Sequence, residues 1–399
     1  MTAASRPLPA SVPRHYGLDW LRIAAFGLLI PYHIGMYFVP GPWVVKGPHV
    51  VEWIAWPLAA LRPWRLPLLF LVSGYGARAL LSRSDPLAFV RNRSLRLLTP
   101  LAFGMLVLVA PQIWVRVSAA GYQGGSWHFF VHDRIGLGLA AFGTEHLWFV
   151  GYLWAYCVVL VLALLRWPDV LARLDRLAAW LARRPLLFVL LGPAAAVAMA
   201  QLALLFVLPQ GGNLFTDWHG HVAFMPPFLL GVALAERRSV GIALTRGWRL
   251  GLALGAGCAT VLVAGEIAYP GSVWPPHLAQ AGLTAASAAM GWLMLSPLYA
   301  LAASLRHADH SLRRPLAEAV FPAYLVHQTL IVVIGWELEY AGLSAAVEFD
   351  ILLFGTLVGC ALVYLGGREL RWLRPLIGLA PRPTRAGAAS PVRIAPAAP

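Results

Sequence analysis

Three arginines and two histidines stand inside runs that are otherwise apolar. Arg22 and His33 share the run YGLDWLRIAAFGLLIPYHIGMYF (16–38), Arg62 and Arg65 lie in a second, and His327 lies in a late third. An ionisable side chain in a membrane-embedded helix is costly, so each is a functional candidate by default. His33 takes up and releases a proton near neutral pH, and the forked donors of Arg65 suit an anion. A proton-linked secondary transporter of an organic anion could use such residues. Against it, the two halves of the chain show no internal repeat.

Spacing says which elements must carry these groups. Eleven residues from Arg22 to His33 amount to about three turns and 16 Å of helix, so both side chains point the same way. Pro31 can free a backbone carbonyl and open the helix beside His33. Simpler readings exist for each: Arg22 can snorkel in a pair with Asp19 at the membrane edge, and a span histidine can bond a neighbouring helix. Depth speaks for more. At helical rise, Arg65 lies about 20 Å, His33 about 22 Å and His327 about 15 Å from the cytosolic face. Three such groups in one layer predict a polar chamber inside the bilayer.

The whole chain fits that setting. Of its 399 residues 59% are hydrophobic and only 12% charged, with a mean hydropathy of +0.69, whereas an ordinary soluble domain is about 25% charged. The expected fold is all-α: a polytopic transmembrane bundle of about ten spans. They fall near 18–39, 53–77, 97–115, 146–165, 186–208, 217–235, 250–269, 278–305, 317–337 and 350–367. Segment 170–184 reads as an amphipathic helix on the membrane surface. The transmembrane domain takes up 1–377, and the Ala/Pro-rich tail 378–399 is expected to be disordered. On this map 25 of the 31 Lys and Arg fall in inner segments, while the outer segments hold only Lys46, Arg116 and Arg134. That bias puts both termini in the cytosol. The basic balance therefore serves orientation, and no nucleic-acid partner is expected.

Cys157, Cys258 and Cys360 all lie in apolar runs and give no disulfide framework. The first run lacks a cleavage site and stays as the first helix. His219 and His221 with Asp217 lack a third ligand at a usable spacing, so no metal is expected.

These segments together resemble the membrane-bound acyltransferase 3 family, most of all its branch that succinylates periplasmic glucans. Arg22 and His33 match its Arg-x10-His signature, and RLPLLFLVSGYGARAL (65–80) is similar to its second helix through Arg65, Pro67, Ser73 and Gly74. FVRNRSLRLLTP (89–100), HLWFVGYLWAY (146–156) and FPAYLVHQTL (321–330) look like its third, His-Leu-Trp and Tyr-Leu-x-His segments. Leu66 and Leu69 depart from the glucan branch, and the fused extracytoplasmic domain of some relatives is absent.

The resemblance implies a multi-pass protein of a bacterial inner membrane that moves an acyl group from cytosolic acyl-CoA to a hydroxyl, often of a sugar or glucan. Acyl-CoA is then a donor substrate, and no bound cofactor is expected; membrane lipid is the other partner. On this resemblance His33 would be the base for the hydroxyl proton, and Arg65 would serve the oxyanion or a carboxylate on the acyl group. Arg22, Arg93 and Arg96 would hold the CoA phosphates, and His146, Trp148, Tyr324 and His327 would line the acceptor site. Each keeps a plainer reading. The arginines of 91–96 can simply orient the third span, His146 can cap the fourth, and His327 can be a packing residue. Outer tryptophans (Trp43, Trp53, Trp148, Trp218, Trp274 and Trp336) suit an interfacial belt or sugar stacking.

Overall fold

The computed structural model describes residues 15–133, 143–211 and 213–381, and these contain helices and no strand. Eight helices are long and apolar enough to cross a membrane. They are α1 (Tyr16–Phe38), α3 (Pro86–Ala119), α4 (Glu145–Arg166), α6 (Leu186–Leu205), α9 (Trp248–Ala268), α10 (His277–Ser304), α11 (Arg313–Leu338) and α12 (Ala345–Glu369). Between them lie α2 (Ala55–Leu81), α5 (Val170–Ala182), α7 (Trp218–Leu234) and α8 (Arg238–Arg246). The chain is a multi-pass membrane protein. Two of the ten expected spans fall outside the eight for physical reasons. The 27-residue α2 carries Arg62, Arg65 and Arg78, which lower its apolarity, and α7 has only 17 residues.

These two helices cross at backbone contact. A Cβ on Gly74 would fall 2.0 Å from the Phe228 carbonyl oxygen, and one on Gly231 would fall 2.0 Å from that of Leu71. Small residues at such a crossing let two helices approach closely. Just beyond the crossing the two are tied through α5: Asp175, 5% exposed, lies 3.2 Å from Arg78 and 3.6 Å from Arg237.

Prolines divide the helices that bear the candidate residues. α1 breaks at Leu28 and resumes at Leu29, because Pro31 has no N–H to donate one turn back to the Gly27 carbonyl. α3 starts well before the expected residue 97, where Asp85 accepts from the backbone N–H groups of Leu87 and Ala88. It passes through a π-helical turn at Gly104–Leu108 just ahead of Pro111. Three contacts along α11 hold α1 in parallel beside it. Arg22 donates to the Ala317 carbonyl at 3.1 Å, His33 meets His327, and the Tyr37 hydroxyl donates to the Gly335 carbonyl at 3.3 Å.

At the α1 N-terminus Asp19 pairs with Arg313 at 2.7 Å. Leu379 packs in the core although it falls in the expected tail; residues 382–399 of that tail, like Arg134, lie outside the described residues.

Candidate active site

A cavity of about 1380 Å³ opens at one end of the bundle. Its walls are the C-terminal halves of α1, α6 and α9 and the N-terminal halves of α2, α4, α7 and α10, closed at the side by Tyr324 and Gln328 of α11. Every expected chamber residue from the three converging helices is at this end. His33, Arg62, Arg65, His146, Trp148 and Tyr324 line it, and His327 stands directly behind His33.

Three imidazoles touch in its wall. Nε2 of His327 lies 3.1 Å from Nδ1 of His33, and Nδ1 of His327 lies 2.7 Å from the Tyr324 carbonyl. His146 meets His327 edge to face with ring centroids 5.1 Å apart. His146 sits in the 3-10 turn that opens α4, where Nε2 lies 3.2 Å from the Leu325 carbonyl and Nδ1 has no hydrogen-bond partner. The preceding residue, Glu145, has φ 44 and forms a two-point pair with Arg116 at 2.9 and 2.7 Å. On the other side Trp43 lies parallel to His33, at a centroid distance of 6.3 Å.

Arg65 is 4% exposed and has its guanidinium 3.4 Å from the centre of the Tyr32 ring. Its Nε and Nη1 have no hydrogen-bond partner, and no carboxylate among the described residues pairs with it. A cation against a ring face gains up to about 2 kcal/mol when desolvated, less than burial of an unpaired charge costs. Arg65 is thus a pair of directed donors awaiting an acceptor. Nearer the mouth, Arg62 is exposed in the same wall.

The opposite wall is aromatic and hydrogen-bonded. Trp148 packs against Tyr152 at 5.2 Å and Phe224 at 5.6 Å. Tyr152 donates to Asp217 at 2.7 Å, and the same carboxylate caps α7 by accepting from Gly220. The ring nitrogens of His219 face Gln201 and the Leu208 carbonyl, and those of His221 face Tyr156 and the Leu214 carbonyl. Both histidines are spent on fixing the start of α7.

Three expected residues stand apart from this cavity. Arg22 holds the Ala317 carbonyl, and the Arg93 guanidinium lies 5.7 Å from the centre of the Phe89 ring. Arg96 is exposed on α3. None of the three lines the chamber. An aromatic floor lies between: Phe26 touches Tyr324 at 5.4 Å and Phe149 at 6.2 Å, and Phe70 touches Phe149 at 4.8 Å.

Other residues take part in this arrangement without having been singled out in the sequence. Tyr32, beside His33, gives Arg65 its ring. Gln328, beside His327, donates to Gln112 at 3.0 Å, and Gln112 donates to Thr329 at 2.6 Å, fastening α11 to the disrupted stretch of α3. The usable signal was a buried amide in an apolar run, Gln112 after Pro111 and Gln328 after His327.

With this geometry in view, the comparisons with known proteins give one result. A family model described as an acyltransferase domain, acyltransferase 3, matches residues 15–365. Neither the curated proteins nor the solved structures returned a match. The matched region takes in every helix named above except the last few residues of α12, and the chain belongs to the acyltransferase 3 family.

Proposed function

We propose that this member of the acyltransferase 3 family transfers an acyl group from cytosolic acyl-CoA to a hydroxyl of a sugar or glucan on the outer side of a bacterial inner membrane. The observation that carries the reading is the juxtaposition of His33 and the unpartnered Arg65 donors in one intramembrane cavity. A base and an oxyanion or carboxylate partner are the two things acyl transfer requires. On this reading α2 and α7 complete ten spans, both termini are cytosolic and the cavity mouth faces outward. The acceptor enters there and lies against Trp148 and Tyr152, whose rings suit a sugar face.

The donor comes from the other end. Arg22 with Arg93 and Arg96 holds its phosphates, and the pantetheine arm passes Phe26 to bring the thioester to His33. In the step itself the acceptor O–H gives its proton to His33, and its oxygen attacks the thioester carbonyl. The C–S bond then breaks and the departing thiolate recovers the proton from His33, giving ester and CoA thiol. Arg65 serves the oxyanion or, in the succinyl reading, the distal carboxylate of the acyl group.

Two measurements test this. Glucans from cells that express the wild-type chain should carry acyl esters that are missing with His33→Ala, and equal ester content in both would refute the assignment. A reporter active only outside the inner membrane should be silent after Arg83, Arg184, Arg246 or Arg314 and active after Gly125, Gly271 or Ser344. A reversed pair would overturn the ten-span orientation.

A further inference from the structure

The contacts of the buried histidine pair leave one arrangement of protons. A carbonyl oxygen only accepts, so Nδ1 of His327, 2.7 Å from the Tyr324 carbonyl, must carry hydrogen. In a neutral ring the other nitrogen is then a bare acceptor. That nitrogen, Nε2 of His327, faces Nδ1 of His33 at 3.1 Å, so the hydrogen between the rings belongs to His33. The lone pair of His33 is therefore left on Nε2, on a side chain that lines the cavity. We propose that His327 is a positioning residue: it holds His33 in the Nδ1–H tautomer, which leaves Nε2 as the base facing the acceptor hydroxyl.

The proposal rests on the reading of His33 as the base and adds what prepares it. A neutral imidazole free of such a contact divides between two tautomers, and the Nε2–H form offers the hydroxyl a donor where an acceptor is needed. Orientation comes from the same contact, because His327 is anchored by the Tyr324 carbonyl of its own helix. Many proteins give this task to a carboxylate. A neutral histidine does it here without placing a carboxylate behind His33. When His33 takes the hydroxyl proton at Nε2, its Nδ1–H still points at His327, so the imidazolium is held in place until the thiolate leaves with that proton.

The test uses the full chain in lipid discs, with acyl-CoA and a glucan acceptor. His327→Leu, which has no acceptor atom, should lower kcat by about 10²–10³-fold while the KM for acyl-CoA stays within about threefold. His327→Gln puts a carbonyl oxygen near the position of Nε2 and should recover turnover to within about tenfold of wild type. Adding His327→Leu to His33→Ala should cost nothing further, as expected for groups that act as one unit. Equal losses for Gln and Leu, or an additive double variant, would overturn the positioning role. A readout that depends on no variant folding is the ¹⁵N spectrum of histidine-labelled wild type: His33 should be protonated at Nδ1, and an Nε2–H signal refutes the proposal. Full activity of His33→Ala would sink the base assignment instead, leaving the tautomer measurement to stand or fall alone.

Discussion

Two arginines are buried at opposite ends of this bundle, and they are buried differently. Arg313 is fully covered, with Asp19 at 2.7 Å, Asp309 at 2.8 Å and the Tyr16 ring at 4.2 Å. Arg65 is 4% exposed, with the Tyr32 ring at 3.4 Å and two nitrogens, Nε and Nη1, that bond to none of the described residues. Removing a charge from water costs several kcal/mol, which a pair of well-placed carboxylates repays. At Arg313 the chain supplies both. At Arg65 no described residue supplies one, and the open donors lie in a cavity beside His33. A closed cluster of this kind holds helices together, whereas an open one keeps its last partner for a ligand.

The largest effect that separates the two clusters belongs to His33. His33→Ala should reduce turnover by about 10²–10⁴-fold and leave the melting temperature of the detergent-purified protein where it was. Retention of a third or more of wild-type turnover would remove His33 as the base. Arg65→Gln comes next and distinguishes its two candidate partners. If Arg65 serves the oxyanion, succinyl and acetyl transfer should fall together by about 10²–10³-fold. If it binds the distal carboxylate, succinyl transfer should suffer far more, since only that donor is left with an unpaired buried charge. Near-normal rates with both donors would make Arg65 as structural as Arg313.

Arg313→Met should invert the pattern. It removes the cation that joins Asp19 to Asp309 and should lower stability measurably, by about 1–3 kcal/mol because Asp309 is open to solvent, while the protein that does fold keeps its KM for both substrates. No loss of stability would break the comparison from the other side. The smallest effect is expected at Arg22, which lies outside the cavity. Arg22→Ala should raise the acyl-CoA concentration for half-maximal rate, more steeply as salt is added. A lower maximal rate with unchanged donor dependence would take Arg22 out of the donor site.

How far these clusters could be read in the sequence depends on whether the signal lies along one helix or between two. Hydropathy averages along an element, so the apolar runs and the stranded residues Arg22, His33, Arg65 and His327 were visible. Pro31 marked the break in α1 because the missing N–H acts within one turn. Across helices the sequence is silent. Asp19 looked like a partner for Arg22 three residues away, but the carboxylate also bonds Arg313, 294 residues on. His33 and His327 could be assigned similar depth, yet nothing in their spacing says that the rings touch. Trp43 read as part of an interfacial belt or a sugar-stacking set, and nothing in its spacing says that it lies along the His33 ring. Nothing in the spacing of Arg93 and Arg96 says that Arg93 lies against Phe89 while Arg96 is exposed. Two residues three apart share a helix face only broadly, and packing decides which turns inward.

The most direct measurement is the stoichiometry of acyl transfer by the purified chain in lipid discs, supplied with labelled acyl-CoA and glucan. The open cluster around His33 and Arg65 predicts one free CoA thiol for each acyl ester formed on the glucan, with both products lost in His33→Ala. Absence of thiol release with every acyl-CoA, together with proton-coupled uptake of an organic anion by sealed vesicles holding the same protein, would contradict it and make the chamber a transport site.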